Sequence, residues 1–144
     1  MVKSGIGLVL VTCVFLPACG GDDDPSKEKA GIEIEGSWVT TSTSFTGTEV
    51  IDSDSWSADY GTGATVSEIV QFSNGDNDAV LKAPDGTFGR NVWIEVSGGS
   101  FHYCSVSYGQ DNVETAISES VVADDSDPDG TGCNGFPWTE LARE

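Results

Sequence analysis

From Gly31 onward, apolar and polar residues alternate over short stretches, and Gly, Asn or Asp interrupts the runs every few positions. Almost no sustained helical period is present. A period of two belongs to half-buried strands, so the region is predicted to be mostly β, with strands over 37–44, 48–56, 66–72, 79–82, 92–97 and 101–108. Asn74-Gly75 and Asp85-Gly86 are turn signals between them. The expected fold is a small antiparallel barrel or sandwich with one short helix and one disulfide, built as a single domain over 31–144.

The clearest local unit is a hairpin in which Gly98-Gly99 joins 92–97 to 100–106 through a two-residue primed turn. Counting outward from that turn sets Val96 opposite Phe101, Glu95 opposite His102, Ile94 opposite Tyr103 and Trp93 opposite Cys104. Val96, Phe101, Ile94 and Tyr103 then share the core face, and Trp93 and Cys104 the other. The one predicted helix runs over 112–119, capped by Asp111 with Glu114 three residues on, and sets Val113, Ala116 and Ile117 towards the sheet. The acidic stretch 124–132 is predicted to be a loop.

Ahead of this domain the pattern changes. Residues 6–16 form an 11-residue, mostly apolar run behind a start that carries one Lys. A bilayer-spanning helix needs about 20 apolar residues, whereas a run of about 7 to 15 behind a basic start reads as a signal peptide. The run closes on Leu16-Pro17-Ala18-Cys19, which resembles the lipobox of bacterial lipoproteins. The resemblance implies cleavage before Cys19, a diacylglyceryl thioether on its sulfur, and further acylation of its amine. Two or more chains anchor stably where one does not. Residues 19–30, Gly-rich and acidic with no apolar period, then form a flexible tether. Gly20 rather than Asp after the cysteine favours the outer membrane under the usual sorting preference of that family.

The remaining cysteines follow from this setting. Cys13 leaves with the leader, and Cys104 and Cys133 meet an oxidising compartment, so a disulfide is expected between them. Closing a loop of about 30 residues is worth roughly 3 to 4 kcal/mol by restricting the unfolded chain. The alternative is two unpaired buried thiols. Tyr103-Cys104 together with 132–138 is similar to tails of uncharacterised bacterial lipoproteins, from which no activity carries over.

Gly36-Ser37-Trp38 resembles the opening motif of lipocalins, eight-stranded barrels in which that Trp plugs one end. The resemblance covers three residues. Neither the family's second motif at a fitting distance nor its later arginine is identified.

Charge narrows the choice of partners. The chain holds 6 basic and 24 acidic residues, a net charge of -18; loss of the leader removes only Lys3, leaving 5 against 24, or -19. Binding nucleic acid requires basic residues that displace counterions from phosphate, so a nucleic-acid partner is excluded, and direct adhesion to anionic lipid is disfavoured. A cation or a basic protein remains compatible with this charge, and the membrane through the lipid anchor and a small apolar ligand complete the candidate partners.

Chemistry-bearing residues are sparse. His102 is the sole histidine, no serine sits in a nucleophile elbow, and Glu95 with His102 reads as a cross-strand polar pair. Carboxylate pairs select nothing in so acidic a chain, and too few ligands remain for zinc. Asp125, Asp127 and Asp129 followed by Gly130 match the opening of an EF-hand-like loop, making calcium the candidate ion, although position twelve is Phe136 rather than Glu. Most aromatics are assigned to the core. Trp56, Tyr60 and Tyr108, at strand ends or beside Gly-rich loops, are the candidate exposed ligand or partner contacts, and the segment 57–65 around Gly61-Thr62-Gly63 is the candidate mobile rim. The leading expectation is a non-enzymatic, lipid-anchored binding domain of the cell envelope that uses one end of its sheet and needs no cofactor. The alternatives are an assembly component that meets a basic protein, a weak calcium module, and a carboxylate-based hydrolase.

Overall fold

The computed structural model describes residues 31–40, 46–97 and 99–144. The leader, Cys19 and the tether lie outside the described residues. Eight antiparallel strands follow one another round a closed barrel: β1 Gly36–Thr40, β2 Thr48–Ile51, β3 Ser55–Asp59, β4 Thr65–Ser73, β5 Asp78–Lys82, β6 Phe88–Ser97, β7 Ser100–Gln110 and β8 Thr139–Arg143. One helix, α1 (Val113–Ser118), interrupts the sequence between β7 and β8. The expected β class, helix and disulfide are present, and of the two architectures offered the barrel is the one formed.

Register carries one inward-facing set round the ring. Trp38 stands opposite Glu49, Glu49 opposite Ala58, and Ala58 opposite Thr65. Further round, Ala79 stands opposite Asn91, Asn91 opposite Ser105, and Phe101 opposite Leu141. Pairing of β1 with β8, Trp38 against Arg143 and Thr40 against Leu141, closes the circle. An eight-stranded barrel is just wide enough either to be filled by its own side chains or to hold one small ligand. This barrel is filled at one end only.

The filled end is apolar. Ile32, Ile34, Trp38, Phe101 and Leu141 are all buried to within 2% exposure, each side chain of this kind contributing about 1.5 to 3 kcal/mol. The edge of Trp38 meets Phe101 at 4.7 Å, and its indole N–H donates to the Ile34 carbonyl at 3.0 Å. The Arg143 guanidinium stands over the Trp38 ring, 4.2 Å from its centre. It crosses where a Cβ on Gly36 would sit, and Gly36 has φ of +149°, so both space and backbone conformation require glycine there. The chain ahead of β1 is strapped over this end: Glu33 N–H donates to the Asn74 side chain, Asn74 donates back to the Gly31 carbonyl, and Trp93 donates to the Glu33 carboxylate at 2.6 Å.

A second apolar cluster lies outside the barrel wall. The excursion between β7 and β8 covers the outer faces of β6 and β7, where Cys104, Val106 and Trp138 are buried with Val92, Ile94, Ala123 and Cys133. The Cys104–Cys133 disulfide ties it down with a Cα separation of 5.5 Å. Asn112, one residue after the predicted cap, caps α1 by accepting from Thr115 N–H at 2.9 Å. Ala116 is buried against the wall, whereas Ile117 is exposed rather than facing the sheet.

Three further sequence expectations are corrected. Residues 48–56 are not one strand: Asp52 accepts from the backbone of Asp54 and Ser55, turning the chain between β2 and β3. The β6–β7 register differs by one residue, with Trp93 opposite Tyr103 and Ile94 opposite His102, because Glu95 adopts φ of +57° inside a bulge. Trp93 therefore faces the core with Phe101 and Tyr103, while Ile94 faces the outer cluster and Val96 is exposed. Finally, β8 was not anticipated at all.

Candidate functional site

Toward the other end the inward residues change character, and a cavity of about 310 Å³ opens between β2–β7. Its walls include Trp56, Leu81, Phe88 and Tyr103, with Ser67 and Asn91 among the polar lining residues. Two neighbouring hydrogen bonds fix part of that polarity: Ser105 donates to the Asn91 side-chain oxygen at 2.7 Å, and Ser107 donates to the Ala116 carbonyl at 2.7 Å.

The centre of the site is a buried acid. Glu49 is 0% exposed, and burying a carboxylate without partners is costly. Three donors surround it. Trp56 Nε1 donates to Oε2 at 2.5 Å, and the phenols of Tyr60 and Tyr103 donate to Oε1 at 2.5 and 3.0 Å. The two phenol oxygens lie 3.3 Å apart, and the Trp56 and Tyr103 rings meet edge-on at 5.0 Å. The group is a product of local folding: the turn at Asp52 sets Ile51 opposite Trp56 and Glu49 opposite Ala58, so Glu49 and Trp56 project to the same side.

This environment holds both phenols protonated at neutral pH. Burial first, then the hydrogen bond to Glu49, pushes Tyr60 up to about 12; burial and the Glu49 charge hold Tyr103 well above the ordinary phenol value. With their O–H groups directed at Glu49, the phenol oxygens present acceptor lone pairs. Chemically, the lining offers one negative charge, several hydrogen-bond acceptors and aromatic faces. Among the described residues that line it, none is Lys, Arg or His; Lys82 stands over the Phe88 ring but is not one of them.

The three aromatic contacts named from sequence all line this cavity. Their exposure differs: Tyr108 is 75% exposed and Tyr60 42%, both on the rim, but Trp56 at 4% is buried. The rim segment places Gly61 and Gly63 so that both backbone N–H groups donate to Asp59. Sequence reasoning missed Glu49 and assigned Tyr103 only to the core.

The other candidates lie elsewhere. His102 is on the outer face, its Nδ1 at 3.2 Å from Glu95 and its Nε2 at 3.9 Å from Asp129. Asp125, Asp127 and Asp129 occupy the excursion, where Asp127 accepts from the backbone and hydroxyl of Thr131 and Asp129 points outward. Among the described residues, no three His, Cys, Asp or Glu side chains converge as a metal set. No described helix is long and apolar enough to cross a membrane. No family model, no curated protein and no solved structure matches this chain.

Proposed function

We propose that this chain is a lipid-anchored binding protein of the cell envelope, attached through Cys19, which holds a small ligand in the open end of its barrel. The observation that carries the reading is the cavity of about 310 Å³ inside a closed barrel, solid at the opposite end. Ligand pockets run from roughly 300 to 1,000 Å³ and combine apolar walls with a few fixed polar groups. This volume stands at the lower bound and suits a compact molecule rather than a long acyl chain. The likeness of Gly36-Ser37-Trp38 to the lipocalin opening supports the same reading, since Trp38 stands at the solid end with Arg143 over it. The anchor rests on the lipobox and on the tether that separates it from the barrel.

Native mass spectrometry of the full chain, released from its own membranes in mild detergent, is the direct test. A small molecule retained at one per chain is the expected result. Ala58→Trp, which fills the cavity from the position opposite Glu49, is expected to abolish retention with the β circular dichroism spectrum intact. A bare wild-type chain, or equal retention by the filled variant, overturns the reading. Cys19→Ala is expected to move the chain from the membrane to the soluble fraction, and persistence in the membrane overturns the anchor.

A further inference from the structure

The character of the ligand follows from the polar atoms at the cavity's centre, and this inference rests on the small-ligand reading above. Glu49 is 0% exposed because Trp56, Tyr60 and Tyr103 all donate to its carboxylate and cover it, so it acts on the cavity through the phenols that stand in front of it. The phenols, held protonated, add acceptors rather than donors toward the interior. A ligand carrying its own carboxylate or phosphate would face a buried negative charge with no described basic residue in the lining to offset it. The surrounding charge of the chain repels the same class at longer range. A ligand carrying a protonated amine meets the opposite situation: phenol acceptors, a buried anion directly behind them, and aromatic residues in the wall. Leu81 and Phe88 would then cover the rest of the molecule.

We infer that the cavity is a site for a small amine cation with an aromatic or apolar body, its ammonium directed at the phenol oxygens of Tyr60 and Tyr103, which Glu49 backs from behind.

Three probes of one shape and different charge test this: phenethylamine, the neutral phenethyl alcohol, and the anionic hydrocinnamate. Each is titrated into the full chain by calorimetry at about 0.15 M ionic strength, where exposed charges are screened beyond roughly 8 Å. Attraction to the buried acid just behind the phenols is expected to give the amine a dissociation constant at least roughly tenfold below that of hydrocinnamate. Glu49→Gln is expected to erase that preference while leaving the alcohol's affinity within about a factor of three. Because Glu49 is buried, a second variant guards against misfolding: Tyr60→Phe, at the half-exposed rim, is expected to weaken the amine several-fold and the alcohol little.

The outcomes separate the two levels of the claim. If hydrocinnamate or the alcohol binds as tightly as the amine, the ligand class is wrong and the pocket reading stands. An amine preference that survives in both Glu49→Gln and Tyr60→Phe is surface attraction, and also overturns the class. Should none of the three bind at millimolar concentration, the pocket reading falls together with it.

Discussion

The two ends of this barrel are built on the same eight strands with the same inward alternation, yet one is solid and the other hollow. At the solid end the inward positions are Trp38, Ile51, Phe101 and Leu141, all within 1% of complete burial. The polar atoms there are few and satisfied locally, as in the bond from Trp38 to Ile34. At the hollow end Ala58, Thr65, Ser67, Gly89 and Ser105 leave volume unfilled, and a charge is held in place by aromatic donors. Backbone geometry therefore does not decide which end is hollow. Side-chain size does, and the buried acid gives the vacancy its chemistry.

That contrast can be broken first at the solid end. Trp38→Ala deletes a fully buried indole and leaves Arg143 without its platform, so chemical denaturation is expected to show a loss of about 3 to 5 kcal/mol. The amine preference of the surviving folded fraction is expected to remain, because Trp38 is not among the cavity residues.

Replacing Cys104 and Cys133 together with serine tests a region belonging to neither end. The expected cost is roughly 3 kcal/mol, read from the same denaturation curves, with probe binding to the barrel unchanged. Glu49→Gln ranks next. It turns an amide nitrogen or a weaker acceptor toward the Trp56 N–H and the two phenols, and the expected loss is about 1 to 3 kcal/mol. A stability gain in this variant would show that the acid is held at an energetic disadvantage for the sake of binding.

The smallest effect is one of pH. Tyr60 has a raised folded-state pKa of about 12 against an ordinary 10.0, so the protonated phenol is favoured by folding. Its stabilising contribution is complete below pH 10 and is lost as pH rises through 12. Denaturation midpoints between those limits are expected to fall more steeply for the wild type than for Tyr60→Phe, and identical slopes would contradict the burial of the Tyr60 phenol and its hydrogen bond to Glu49.

Alternation and turn residues made the β class, most strand positions and the helix legible in advance. What escaped was decided by residues distant from one another or by a single backbone torsion. Read as one strand, 48–56 sends Glu49 and Trp56 to opposite faces; the three-residue turn at 52–54 reverses the chain and puts them on the same one. The cavity's centre was invisible for that reason. The positive φ at Glu95 likewise shifted the hairpin register by one residue, exchanging the faces of Trp93 and Ile94. For β8, five residues that alternate weakly gain their identity from pairing with β1, about a hundred positions earlier. Composition near Thr139 contains no trace of that partner.

The seam between β1 and β8 has a temporal meaning as well. A polypeptide emerging amino terminus first from a ribosome or a translocation channel exposes β1 long before its neighbour on that side exists. Until Leu141 and Arg143 arrive, the nascent sheet carries two raw edges, each a template for pairing with another copy. Closure must therefore wait for β8, and loss of Thr139–Arg143 would yield a sticky, unfinished sheet rather than a slightly shorter barrel.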